Sequence, residues 1–339
     1  MKISIIAFSK EGYELAEKLK DKFDNLCKPN EQSVDIFRCI PGGLKSWTEE
    51  HFNTDDAIVF TGAVGIAVRA ISDYVNHKAA DPAIIVMDEA GKYVIPILSG
   101  HIGHANELAL RIADLTGAEP VITTATDIHG KWAVDTWAVG NGMTIVNPEM
   151  IKDISSAVLE DRIIGMNGDV RLIGALPDRV KADEKCNNEV YITYRKTKIY
   201  EIKDKLILIP KCITVGIGCR KGCDRYKIEM LFDRLAEEYD IDERAIKVVA
   251  SIDIKAEEEG ILEFADDHGF GFVTYSAEEL DSIQGDFSSS DYVKEVTGVD
   301  NVCERSAALA AGDDYRMIVG KTAEDGVTMA FALGPVVLK

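Results

Sequence analysis

The sequence predicts an α/β protein: two α/β domains with largely parallel sheets, joined by a smaller middle domain. Two observations carry this. Short Val- and Ile-rich runs alternate with stretches of helical period along nearly the whole chain, the pattern of strands connected through crossover helices. That pattern breaks once, between Asn141 and Pro210, where Asn167-Gly168 and Asn187-Asn188 turn signals, a charged segment and the alternating Val190-Tyr-Ile-Thr-Tyr replace it. The expected division is an N-terminal domain at 1–135, a variable middle domain at 136–210 and a C-terminal domain at 211–339.

At the start, MKISIIAFSKEGYELAEKL has one lysine before a short apolar run that Ser4 interrupts, with an amphipathic stretch directly behind. It reads as a first strand at 3–8 and a helix, not as a signal peptide. Further strands are expected at 57–60, 83–87, 93–98 and 120–124. The clearest helix covers about 104–115, where Ala105, Leu108, Ala109, Ile112 and Leu115 recur at spacings of three and four and Gly117 provides the stop. In the last domain the expected strands are 212–217, 246–250, 271–275, 316–320 and 327–333. Its helices are expected near 225–239, 257–267 and 301–311.

Composition removes several functions. The chain of 339 residues has 38 Lys plus Arg against 58 Asp plus Glu, a formal net charge of −20, with 46% hydrophobic and 28% charged residues. Those are globular proportions, not those of a disordered chain. Polyphosphate binding needs a concentrated positive field, which this charge opposes, so nucleic acid is set aside. No run reaches the ~18 apolar residues of a membrane span. The cysteines at Cys27, Cys39, Cys186, Cys212, Cys219, Cys223 and Cys303 include no CxxC pair, and reduced thiols in the cytoplasm are expected.

Five constellations could carry chemistry. TGAVGIAVRAI at 61–71 follows a strand, and Gly62 and Gly65 open a helix start whose free amides suit an anion or a carbonyl oxygen; a plain βα turn explains it equally well. LSGHIGHANELALRIADLTG at 98–117 sets His101 and His104, two of the six histidines, at a helix mouth. Glu107 and Arg111 share the polar face of His104, and Ser99 and Asn106 shape the turn. A metal fits less well, since the spacing is HxxH rather than HExxH. PVITTATD at 120–127 ends a strand in Thr123, Thr124 and Asp127, where ligands of open α/β sheets bind. VGIGCRKG at 215–222 places Gly216 and Gly218 before Arg220 and Lys221 but lacks the dinucleotide fingerprint; Cys219 is either a nucleophile or an ordinary loop thiol. Lys255, Glu258, Glu304, Arg305 and Lys321 follow strand ends or open helices in the last domain. Charged residues are mostly solvated surface, yet Glu304 stands within a small, apolar helix.

Taken together, FTGAVGIAVRAI, the segment from DPAIIVMDEAGKY through SGHIGHANELALRIADLTG to ITTATD, then VGIGCRKG, SIDIKAEEEG, VTGVDNVCERSAALAAG and the closing VGKT and GVTMAFA resemble the cobalamin-biosynthesis hydrolases that act on cobalt-precorrin-5A in the anaerobic route to vitamin B12. The resemblance spans all three segments in order. Where the family pattern has Gly-Gly before ANEL this chain has Gly103-His104, which puts weight on His101, Asn106 and Glu107 rather than His104. The resemblance implies opening of a δ-lactone on the ring-contracted macrocycle and loss of the extruded carbon and its methyl group as acetaldehyde. It implies no cofactor beyond the cobalt that the substrate carries. A non-catalytic corrinoid-binding protein of the same pathway is the alternative, and a homodimer or transient contact with neighbouring methyltransferases is the partner expectation.

By position, His101 or Glu107 is expected to activate water, with Thr123, Thr124 and the Gly62 to Gly65 amides as oxyanion donors and Asp127 orienting the base. Arg69, Arg111, Arg220, Lys221, Lys255 and Arg305 are expected to hold peripheral carboxylates. Ser99, His104, Asn106, Gly216, Gly218, Glu304 and Lys321 complete the expected binding set. A polycarboxylate substrate is repelled at long range by a charge of −20, so the cations, Lys321 included, are expected to gather into a locally basic cleft.

Overall fold

The computed structural model describes residues 1–26, 32–76 and 80–339, so Cys27 lies outside the described residues. The chain divides into two compact units, Met1–Thr136 and Trp137–Lys339. Among the described residues no helix is long and apolar enough to cross a membrane.

The first unit runs β1 (Lys2–Ala7), α1 (Lys10–Asp24), β2 (Ser33–Arg38), α2 (Leu44–Thr54), β3 (Ala57–Thr61), α3 (Val64–Ile71), β4 (Ala83–Met87), β5 (Tyr93–Leu98), α4 (Ala105–Thr116), β6 (Glu119–Pro120), α5 (Ala125–Ile128) and α6 (Val134–Gly140), which continues into the second unit. Six strands form one sheet in the order β2-β1-β3-β4-β5-β6. Alternate side chains face opposite layers. Ile3, Ile5, Ala57 and Val59 pack with Leu19 and Phe23 of α1 and Leu108 and Ile112 of α4, whereas Ile6, Ile58 and Phe60 pack with Phe52 of α2 and Ala67 and Ile71 of α3. Two-sided burial is why these strands read as continuous apolar runs.

One reversal decides where the loops lie. Five residues separate β4 from β5, too few for a crossover helix. Asp88 closes the turn by accepting the amides of Lys92 at 2.8 Å and Tyr93 at 2.6 Å. β5 therefore runs antiparallel to β4, with Ile84 opposite Leu98, and its carboxyl end lies at the amino edge of β3 and β4. β6 is parallel to β5. The strand expected at 120–124 stops at Pro120, and proline explains it. Val121 still donates to Val94 O at 2.8 Å, but the next ladder bond would have to come from the nitrogen of Pro96, which has no hydrogen.

The second unit begins with β7 (Met143–Ile145), α7 (Ile151–Leu159), β8 (Ile164–Gly168), β9 (Leu172–Ile173), β10 (Val180–Ala182), β11 (Glu189–Ile192), α8 (Lys196–Glu201) and β12 (Leu206–Pro210). Five of these strands form a sheet in the order β10-β8-β11-β12-β7, parallel except for β7. Asn167-Gly168, expected as a turn, lies inside β8. A Cβ on Gly168 would sit 2.0 Å from Ile192 O, so the glycine permits close approach of β11 rather than a reversal.

Beyond it come β13 (Ile213–Cys219), α9 (Arg225–Glu238), β14 (Ile246–Ile252), α10 (Glu259–Asp267), β15 (Gly271–Tyr275), α11 (Ala277–Ser282), α12 (Asp291–Thr297), α13 (Cys303–Ala311), β16 (Arg316–Glu324), β17 (Val327–Leu333) and β18 (Val336–Val337). The second five-stranded sheet has the order β15-β14-β13-β17-β16. Its β13, β14 and β15 are parallel, whereas β17 runs antiparallel to both β13 and β16.

Candidate active site

The loop between β5 and α4 is wound tightly by residue choice. Ser99 and His104 both hold left-handed backbone, at φ 57° and 62°, a conformation that non-glycine residues adopt at a cost and that clusters at functional sites. The Ser99 hydroxyl donates to Asp81 O at 2.9 Å. A Cβ on Gly103 would lie 2.4 Å from that of Ser99, and one on Gly100 2.9 Å from Asn106 Oδ1, so both glycines are needed for the loop to close. The amides of Ala105 and Asn106 donate back to Ser99 O and Gly100 O. Leu108, Ala109 and Ile112, buried on the inner face of α4 at about 1.5–3 kcal/mol for each large side chain, fix the helix and with it the loop at its mouth.

Into this mouth come residues 123–135. His101 Nδ1 lies 3.1 Å from Asp135 Oδ2 and Nε2 3.2 Å from Asp127 Oδ2, with Thr126 Oγ1 3.4 Å from Nε2. Asn106 donates one Nδ2 hydrogen to Thr124 Oγ1 at 3.0 Å and the other to Asp127 Oδ2 at 2.6 Å. The hydrogen bond to Asp135, working against burial, holds the His101 imidazole above its ordinary value, and Asp127 adds to it. Burial alone would push Asp135 up, but the His101 hydrogen bond and charge and the Thr136 amide hold it below the usual carboxylate range. An imidazole between a buried and an open carboxylate, next to hydroxyls and an amide, is equipped to move protons at a bound carbonyl.

Three family models cover most of the chain: Cobalamin synthesis G N-terminal at 46–127, Cobalamin biosynthesis central region at 132–210 and Cobalamin synthesis G C-terminus at 213–332. The cobalt-precorrin-5A hydrolase of Salmonella typhimurium (strain LT2) is 30% identical over 98% of this chain and 97% of its own length. The chain belongs to the cobalt-precorrin-5A hydrolase family. The cobalt-precorrin-5A hydrolase of Priestia megaterium is 28% identical, over 98% of this chain and 95% of that protein. Protein CobE of Sinorhizobium sp is similar over a part, at 28% identity across 38% of this chain and 82% of its own. The family is one of cobalamin-biosynthesis hydrolases.

In this family member, the structure redistributes the residues expected at the site. His101, Asn106, Thr124 and Asp127 converge. Glu107 is exposed and bonds His104 at 3.1 Å, away from the Asp127–His101–Asp135 line, and Thr123 faces solvent. The TGAVG loop does not join them. It follows β3, and the β4–β5 reversal puts the carboxyl end of β3 at the opposite edge of the sheet from His101, about 17 Å away for strands of five residues. The Gly62 amide donates to Met87 O at 2.8 Å and is not open to an oxyanion, while Gly65 takes Arg69 Nη1 on its carbonyl at 3.4 Å. Arg69 on α3 and Arg111 on α4, whose guanidinium lies 5.3 Å from the Phe23 ring, belong to opposite faces of the sheet and share no cleft.

Sequence reasoning missed Asp135. It lies 34 residues from His101, in WAVDTWAV, where an acid interrupts an apolar helical run. Its neighbours Val134 and Ala138 are buried, so the acid is drawn inward with them; that interruption was the available signal.

In the C-terminal part, much of the expected binding set is engaged internally. A Cβ on Gly216 would meet Cys303 O at 1.8 Å and one on Gly218 Thr328 Oγ1 at 2.6 Å; Gly216 admits α13 against β13. The loop after β13 does receive a carboxylate on its amides, and it is the protein's own. Glu258 Oε1 accepts Gly222 N at 2.6 Å and Cys223 N at 3.0 Å, and Lys255 Nζ donates to its other oxygen at 2.7 Å. Cys219 is pushed up to about 12 by burial, which makes it a protonated thiol rather than a nucleophile. Glu304 accepts Ser288 N and Oγ, Asn301 Nδ2 and the Lys321 amide, tying the segment at 288 to β16. Arg305 is turned inward to Asp300 at 3.0 Å and to the carbonyls of Leu280 and Ile283. Arg220 and Lys221 stay exposed and, among the described residues, have no carboxylate partner. Among those residues, too, no group of three or more His, Cys, Asp or Glu is arranged to hold a metal ion.

Proposed function

We propose that this protein is a cobalt-precorrin-5A hydrolase: it opens the δ-lactone of the ring-contracted macrocycle and releases acetaldehyde, giving cobalt-precorrin-5B. The observation that carries the reading is the His101 imidazole held between Asp135 and Asp127 beside Asn106, in a family whose named members bear this activity along nearly the same length of chain. Lactone opening needs water delivered to an acyl carbon, an oxyanion stabilised and a proton returned to the departing oxygen. His101 and Asp127 form the proton-transferring pair, and the Thr124 hydroxyl, which accepts from Asn106, keeps its own hydrogen for the oxyanion. The freed hydroxyl then gives its proton to Asp127 as it collapses in a retro-aldol-like cleavage whose electron pair passes to the conjugated macrocycle, which takes that proton up in turn. The substrate is its own electron sink. Placement in the cytoplasm belongs to the same proposal.

The test is incubation of the purified protein with cobalt-precorrin-5A, with acetaldehyde trapped and quantified. The wild type is expected to release one equivalent and His101→Gln to lose most of the rate. Tight binding of the corrinoid without turnover would instead identify a carrier.

A further inference from the structure

We propose that Asp127 is the base that activates water, that His101 is its partner acid, and that Asp135 is the residue that positions His101; these roles depend on the hydrolase function proposed above. Both ring nitrogens of His101 face carboxylate oxygens, at 3.1 Å and 3.2 Å. An ionised carboxylate only accepts, so each nitrogen meets it best as a donor, and the ring that donates twice is the imidazolium. Such a ring has no lone pair with which to take a proton from water. That moves the base away from His101, where position along the sequence had placed it.

The two carboxylates are not equivalent. Asp135 has a side chain 8% exposed against 39% for Asp127, and its second oxygen accepts the Thr136 amide at 3.0 Å. It cannot reach a substrate; it can fix the ring plane and hold the charge. Asp127 gathers His101 and Asn106 on Oδ2, and among the described residues its Oδ1 has no partner. The open Oδ1 is therefore the acceptor that faces an incoming water. As the water oxygen bonds to the acyl carbon, one of its protons passes to Asp127. The acyl C–O bond then breaks, its electron pair stays on the departing oxygen, and the His101 Nε2 proton neutralises it. Neutral His101 and protonated Asp127 remain, and transfer of that proton across their 3.2 Å contact restores the starting state with one water consumed.

The charge state and the reaction are read separately. Two-bond nitrogen–proton correlations on histidine-labelled free protein are expected to show both His101 nitrogens protonated at pH 7, with a midpoint above the ordinary 6.5. Asp135→Asn is expected to lower that midpoint, to move the alkaline limb of the rate profile to lower pH, and to reduce kcat on the order of 10²-fold with KM little changed. Asp127→Asn is expected to reduce kcat at least as much. A neutral His101 tautomer at pH 7 would overturn the assignment, and so would an Asp135→Asn protein with unmoved midpoint and rate limb or an Asp127→Asn protein at full rate. Should Asp135→Asn not fold, the wild-type spectrum and Asp127→Asn still decide. An imidazolium in a protein that releases no acetaldehyde would remove the hydrolase function and leave the charge state standing.

Discussion

Replacing Gly216 by alanine tests whether the GIGC segment is a packing device or a ligand loop. The added Cβ would lie 1.8 Å from Cys303 O and 2.8 Å from Ala307 N. A relaxed carbon–oxygen contact is about 3.3 Å, so α13 must retreat by about 1.5 Å. That helix buries Cys303, Ala307 and Ala308 against the sheet, and Ala307 O accepts the buried Thr214 hydroxyl at 2.6 Å. Overpacking costs about 1–3 kcal/mol, and weakening the buried hydrogen bond about 1 kcal/mol more. A loss of about 3 kcal/mol corresponds to a fall in Tm of about 6–12 °C for a unit of this size. Gly218→Ala meets the end of a side chain, Thr328 Oγ1 at 2.6 Å, which can rotate, so a loss of about 1 kcal/mol or less is expected. Thermal melts of the two variants give the comparison. A Gly216→Ala protein that melts like the wild type but binds the corrinoid poorly would refute the packing role.

Other consequences follow from individual contacts. Burial would depress the His268 imidazole, but Glu243 and Glu229 outweigh it and raise it; the stabilisation is full below the unfolded value and is lost as pH rises through the folded one. His268→Gln is therefore expected to lower Tm more at pH 6 than at pH 9. Glu304 is the opposite case. Burial pushes it up, but Ser288, Asn301 and the Lys321 amide prevail and hold it low, so the penalty of Glu304→Gln should be largest at neutral pH and shrink as the pH falls below 4. Pro96→Ala supplies the missing donor opposite Val121, and the new amide at 96 is expected to exchange slowly in hydrogen-exchange measurements.

Legibility followed the range of the physics involved. Two-sided burial is a local signal, so the Val- and Ile-rich strands of both α/β domains stood out, as did the helix at 105–116 with its Gly117 stop at φ 77°. Chain reversal was also local but went unread: five residues between β4 and β5, with Asp88 and Gly91 among them, permit a hairpin and no crossover. Missing it put the Gly62 loop and His101 at one edge when they lie at two. Asn106 and Asp127 entered the expected set because each lies in a motif of its own, at 98–117 and 120–127. Asp135 was not, because its pairing with His101 depends on where α6 returns, and no spacing rule encodes that. Gly168, Gly216 and Glu304 carry the same lesson in reverse. Their residue types suit turns and sites, but close backbone approach and buried amides, visible only in three dimensions, are what hold them in place.

The hydrolase function is tested most directly by incubating the purified wild-type protein and His101→Gln with cobalt-precorrin-5A and measuring trapped acetaldehyde together with the fate of the lactone. The wild type should release acetaldehyde in step with loss of the lactone, and His101→Gln should bind the corrinoid with its lactone intact. A wild-type protein that left the lactone closed would contradict the function, and a His101→Gln protein that matched an active wild type would contradict the site.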